Sequence, residues 1–132
     1  MSVLILYVAT TIIFLALDAV MLTLVMKPLF ERHLVGLLRD QPALLPAAIF
    51  YLAYTAGLIT LITYPALKSG TSVILPAAIL GAMAYGTYEF TSYAVMKDWS
   101  LQMVATDLTW GTILTAFSAW AGLAITRAVT QM

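Results

Sequence analysis

Residues 3–26, 44–64, 73–96 and 102–126 form four long apolar stretches separated by short polar breaks. Each is long enough to cross a hydrocarbon core, which takes roughly 20 residues of helix. Together they occupy most of the 132-residue chain, leaving no room for a soluble domain. Only 9% of the residues are charged, where a soluble domain carries about 25%. Backbone in lipid must satisfy its own hydrogen bonds, and a barrel would show alternating strands of about ten residues. The sequence therefore predicts an all-α polytopic membrane protein, a single four-transmembrane-helix bundle over 1–132. The first stretch lacks a basic start and a small-residue cleavage site and ends at Lys27-Pro28, so it reads as a span and not a cleaved leader.

Charge sets the orientation. Lys27, Arg32, Arg39 and Lys97 lie in the first and third loops, and only Lys68 and Arg127 lie on the opposite side. The excess of cations places the first and third loops in the cytoplasm and both termini outside. Formal net charge is zero and no basic run occurs, which argues against a nucleic-acid partner; membrane lipids are the expected surroundings. The lack of cysteine removes disulfides, iron–sulfur clusters and thiol catalysis. Pro28 is expected to end the first span. Beyond it, Leu29, Phe30, Leu34, Leu37 and Leu38 fall on one side at helical spacing, with Glu31, Arg32, Arg39 and Asp40 largely on the other. That pattern predicts a short interfacial helix in the first loop, starting with Pro28 in its first turn and closing before Pro42. Its His33 reads as a surface residue. Tyr64 and Trp99 read as aromatic anchors at the membrane interfaces.

The spans hold three ionisable carboxylates, Asp18, Glu89 and Asp107, and no lysine, arginine or histidine to neutralise them. A charge near the middle of a span costs about 2.5–3.5 kcal/mol on insertion scales, and such residues are functional by default. All three sit roughly 5–10 Å to the cytoplasmic side of their span centres, at 1.5 Å rise per residue. On the third span Ala78, Ala82, Gly86, Glu89 and Tyr93 recur at helical spacing; on the fourth, Asp107, Gly111, Thr115, Ser118 and Gly122 do so. Small residues in such stripes let helices approach closely, so Ala82, Gly86, Gly111 and Ser118 are assigned to helix packing. Thr11 and Phe14 or Leu15 share the face of Asp18 on the first span. A subset of Tyr51, Tyr54, Tyr85, Tyr88, Thr87, Thr91, Ser92, Thr106, Thr109 and Trp110 is expected to complete a polar site. The ligand- or proton-binding set is read as Asp18, Glu89, Asp107, Tyr85, Tyr88 and Trp110, with the three acids sharing a proton or a cation. The plain alternative is that each acid only hydrogen-bonds across helices.

The stretches "LALDAVML", "FYLAYTAGL", "AYGTYEFTSYAVMKDW" and "ATDLTWGTILTA" resemble the small bacterial membrane proteins grouped as domain-of-unknown-function family 2177. The likeness runs along essentially the whole chain. Members of that family often carry tryptophan where this chain has Met21, and commonly aspartate where it has Glu89. The resemblance implies the four-helix architecture and a bacterial cytoplasmic (inner) membrane location, but no activity.

Three readings of function follow. The first is a carboxylate-lined site that binds a cation, protons or a small polar ligand for transport. Its hard oxygen ligands favour magnesium, calcium, manganese or protons over copper or zinc, and four helices being few for a transporter, a homodimer is expected. The second is a membrane enzyme acting on a lipid or isoprenoid, with Asp18, Glu89 and Asp107 holding a divalent cation such as magnesium. It is weakened by the lack of any inward histidine, lysine or arginine to handle phosphate. The third is a structural or assembly subunit whose acids meet a partner's basic residue.

Overall fold

The computed structural model describes residues 2–33 and 44–130. Among these residues the chain forms four helical rods and no strand. The first rod is α1 (Ser2–Met21), a π-helical turn (Leu22–Met26) and α2 (Lys27–His33); the second is α3 (Leu44–Leu58), another π-helical turn (Ile59–Thr63) and α4 (Tyr64–Ser69). The third and fourth are α5 (Ile74–Val95) and α6 (Leu101–Thr130). Three described helices are long and apolar enough to cross a membrane, Ser2–Leu29, Leu45–Ser69 and Leu101–Thr130. α5 is not among them, because Tyr85, Thr87, Tyr88, Glu89, Thr91 and Ser92 crowd its second half.

Pro28 does not end the first helix, contrary to the expectation from sequence; the helix runs through it to His33. The reason lies in the turn before it. Proline has no N–H and its ring collides with the carbonyl four residues back. Here Lys27 N–H bonds the carbonyl of Leu22, five residues back, and the widened turn relieves that collision. The second rod repeats the device, with Tyr64 N–H bonding the carbonyl of Ile59 ahead of Pro65. The two segments also match in sequence, "LTLVMKP" against "ITLITYP". In each the threonine hydroxyl bonds the carbonyl four residues back, Thr23 to Ala19 and Thr60 to Ala56, both at 2.8 Å. The expected interfacial helix is, over 29–33, a continuation of the first rod; Leu34, Leu37, Leu38, Arg39, Asp40 and Pro42 lie outside the described residues.

α6 is the central helix. It packs along α5 and α1, and α3 packs on α1 and reaches α6 through the Tyr54–Thr115 hydrogen bond. Hydroxyls tie α1 to α3: Thr11 donates to Thr55 at 3.0 Å, and Tyr7 to the carbonyl of Leu52 at 3.0 Å. One apolar cluster, built on Leu6, Leu58, Val73, Ala77, Ala119 and Leu123, fills the end of the bundle near the turn at Gly70. That glycine closes α4 with φ 75, a left-handed backbone glycine adopts without penalty. A second cluster, Met26, Leu29, Trp99, Met103 and Val104, fills the opposite end. Between them lies a layer of buried polar residues. The outer faces are mostly apolar, with Leu4, Ile12, Leu24, Leu45, Leu61 and Leu75 each 60% exposed or more, as expected where the surrounding solvent is lipid.

Candidate functional site

The α5–α6 contact positions the polar layer. The buried stripe of α6 contains every residue that periodicity assigned to it: Asp107, Gly111, Thr115, Ser118 and Gly122. On α5 the predicted face is displaced by one residue. The buried positions are Ala77, Gly81 and Glu89, while Ala82 and Gly86 are half-buried and Tyr93 is exposed. Gly81 makes the close approach, since a Cβ there would lie 2.6 Å from the Gly111 carbonyl and 2.8 Å from Thr115. A Cβ on Gly86 would meet only Leu108, at 3.4 Å. Gly111 is also the seat of Tyr85, whose ring occupies the space a side chain there would need. On α1, Phe14 is buried on the face of Asp18 and Leu15 points outward.

The three acids are buried, Glu89 completely and Asp18 and Asp107 to more than nine-tenths. They divide into a pair and a single residue. The carboxyls of Glu89 and Asp107 face each other across the α5–α6 contact. Trp99 donates its indole N–H to Glu89 Oε1 at 2.8 Å, while Glu89 Oε2 is buried with no N–H or hydroxyl donor. Asp18 stands apart on α1, accepting from Trp110 Nε1 at 3.2 Å and facing the Tyr51 hydroxyl. Trp99 is thus no interfacial anchor. It is 6% exposed, turned inward by the bend over 96–100, with Tyr88 edge-on to it at 5.6 Å between centroids. Sequence reasoning missed this role because a tryptophan just past a span end looks like a belt residue; its only signal was a lone acid ten positions earlier.

Asp18 and Asp107 line one cavity of about 460 Å³, together with Leu22, Met26, Phe50, Tyr51, Ala84, Tyr85, Thr87 and Tyr88. Four rods contribute to it. The Tyr85 hydroxyl is buried without a hydrogen-bond partner. The rings of Phe14, Tyr54 and Tyr85 form a tilted, edge-on series that ends at the cavity wall, Phe14–Tyr54 at 5.5 Å and Tyr54–Tyr85 at 6.4 Å, and Tyr54 hydrogen-bonds Thr115 at 2.9 Å. Thr91 and Thr109, which sequence offered as shell residues, are exposed. Among the described residues no group of three acids, histidines or cysteines is gathered closely enough to hold a metal ion. Asp18, Glu89 and Asp107 therefore do not form one cage: two acids meet, and the third faces the same cavity from another helix.

No curated protein and no solved structure matches the chain. A family model described as a predicted membrane protein matches residues 3–124. With that match covering nearly the whole chain, the protein belongs to domain-of-unknown-function family 2177, a family of membrane proteins.

Proposed function

We propose that the protein binds a small cationic, hydrogen-bond-donating group inside the bundle, at Asp18 and Asp107, and that the Glu89–Asp107 pair exchanges a proton as it does so. One observation carries this reading: two buried carboxylates from different helices line one cavity whose lining, among the described residues, includes no cation. Buried charges without a partner are costly, and an ammonium group would compensate Asp18 and Asp107 while donating to the Tyr51 and Tyr85 hydroxyl oxygens. Two carboxyls face to face in a dry seam are relieved by sharing one proton. A cation arriving at Asp107 competes with that proton. The divalent-metal enzyme reading has less support, since the acids are not gathered around one point.

In this reading α5 is the fourth crossing. Its support is the long contact with α6 and an outer face of exposed Ile74, Leu75, Ile79, Met83 and Phe90. The chain then sits in a bacterial inner membrane with the acids nearer the cytoplasmic end and both termini outside, as the loop cations favour.

The test is thermal unfolding of the purified full chain with ethylammonium, with magnesium, and with neither, from mildly acidic to mildly alkaline pH. Ethylammonium is expected to raise the unfolding temperature, increasingly so as pH rises because the proton competes less. Asp18→Asn and Asp107→Asn should each lose the effect. Stabilisation by magnesium alone, abolished in both variants, would replace this reading with a metal site.

A further inference from the structure

We infer that the ligand is a long-chain amine, held with its ammonium head between Asp18 and Asp107 and its alkyl chain leaving sideways between α3 and α5 into the lipid. This rests on the reading of the cavity as an ammonium site and adds the substrate class and the route of entry. The argument is one of closed and open walls. Toward one end of the bundle, the cluster of Met26, Leu29, Trp99, Met103 and Val104 is buried. Toward the other, the Phe14, Tyr54 and Tyr85 rings and the Tyr54–Thr115 hydrogen bond block the axis. α6 forms the back wall, packed on both α1 and α5. The side between α3 and α5 is more weakly sealed: among the described residues these two helices meet at the Tyr54–Tyr85 ring contact, 6.4 Å between centroids, and share no long packing seam like that of α5 on α6.

The lining changes character along that direction. At the deep end Asp18 and Asp107 are 5% and 9% exposed, whereas at the mouth Phe50 and Tyr88 are 53% and 52% exposed and Thr87 is exposed beside them. A charged floor under an aromatic mouth matches an amphiphile with a cationic head. A volume of about 460 Å³ holds a head and the first part of a chain, and the remainder continues into the bilayer. Referred to the aqueous phase, each methylene taken from water into the bilayer or the cavity mouth strengthens binding about fourfold, so chain length should matter as well as charge.

The experiment uses the full chain in phosphatidylcholine vesicles and a photoactivatable long-chain amine, with labelled peptides mapped by mass spectrometry. Labelling is expected on α3 at Phe50 or Tyr51 and on α5 at Thr87 or Tyr88. Dodecylamine should compete at least tenfold better than dodecanol or dodecanoate at equal mole fraction in the membrane, and at least tenfold better than ethylamine at equal aqueous concentration. Ala84→Phe, which fills the cavity, and Thr87→Trp, on the exposed mouth, should each reduce labelling at least tenfold. Equal competition by dodecanol would overturn recognition of the charge. Equal competition by ethylamine would overturn the amphiphile while leaving the cavity an ammonium site. If no amine labels, competes or stabilises, both this inference and the reading beneath it fail.

Discussion

Trp99 and Glu89, ten residues apart and joined at 2.8 Å through the indole N–H and Oε1, lock the end of α5 to the turn that starts α6. Trp110 makes a looser version of the same contact to Asp18, at 3.2 Å between α6 and α1. Each indole supplies a neutral donor to a buried carboxylate, which fixes the position of the acid without cancelling its charge. The Glu89 contact is fully buried and the Asp18 contact only partly so.

Trp99→Phe keeps the ring and removes the donor. It should cost about 1–3 kcal/mol, the penalty of leaving a buried acceptor unsatisfied. Trp110→Phe, at a longer and wetter bond, should cost about 0.5–1.5 kcal/mol. Unfolding of both variants in the same detergent gives the comparison. A Trp99→Phe cost near zero would mean that the Trp99 bond adds nothing beyond its packing on Met26 and Leu29.

Glu89 is wholly buried and lacks a donor for Oε2, so the two obvious substitutions should diverge. Glu89→Gln places an amide N–H₂ toward Asp107 while its oxygen still accepts from Trp99, and should stay within about 1 kcal/mol of the parent. Glu89→Ala removes the bulk and strands the indole, and should cost about 2–5 kcal/mol. Melting temperatures of the pair decide it; a costly glutamine would show that the ionised carboxylate itself holds the fold.

Most of the architecture was legible in the sequence, and the places where it was not are physically specific. The α6 stripe could be read because its small and polar residues recur every three or four positions with bulky neighbours between them. On α5 small residues stand side by side, Ala77 with Ala78 and Gly81 with Ala82. Local pattern cannot choose the phase there; the choice is made by Tyr85 needing the space over Gly111. Pro28 was misread because the stop signal of a proline assumes a regular helix before it, and a widened turn removes the collision. The acids stood out because lipid-length apolar stretches rarely carry them. Which two would face each other depended on the rotation of α5 against α6.

The corrected α5 register gives a glycine test. Gly81→Ala would put a methyl 2.6 Å from the Gly111 carbonyl, forcing the helices apart at a cost of about 1–3 kcal/mol. Gly57→Ala meets nothing within 4 Å and should gain about 0.5–1 kcal/mol from helix propensity. Gly86→Ala, with only an ordinary contact at 3.4 Å, should fall between them and near neutral. Thermal unfolding of the three single variants orders them, and a neutral Gly81→Ala would restore the face that periodicity first suggested.

Asp18 separates charge from scaffolding most cleanly. In Asp18→Asn the side-chain oxygen still accepts the Trp110 N–H, so stability should stay within about 1 kcal/mol of the parent. The negative charge at the cavity is gone, however, so ammonium binding should fall at least tenfold, about 1.4 kcal/mol. In Asp18→Leu both the charge and the acceptor are lost; the buried indole N–H is left without its partner, and stability should fall by about 1–3 kcal/mol. Titration of each variant with ethylammonium, followed by thermal unfolding, reads both quantities on one sample. A purely structural Asp18 would give the opposite pattern for asparagine, with binding unchanged, and would leave Trp110 as the reason for the acid.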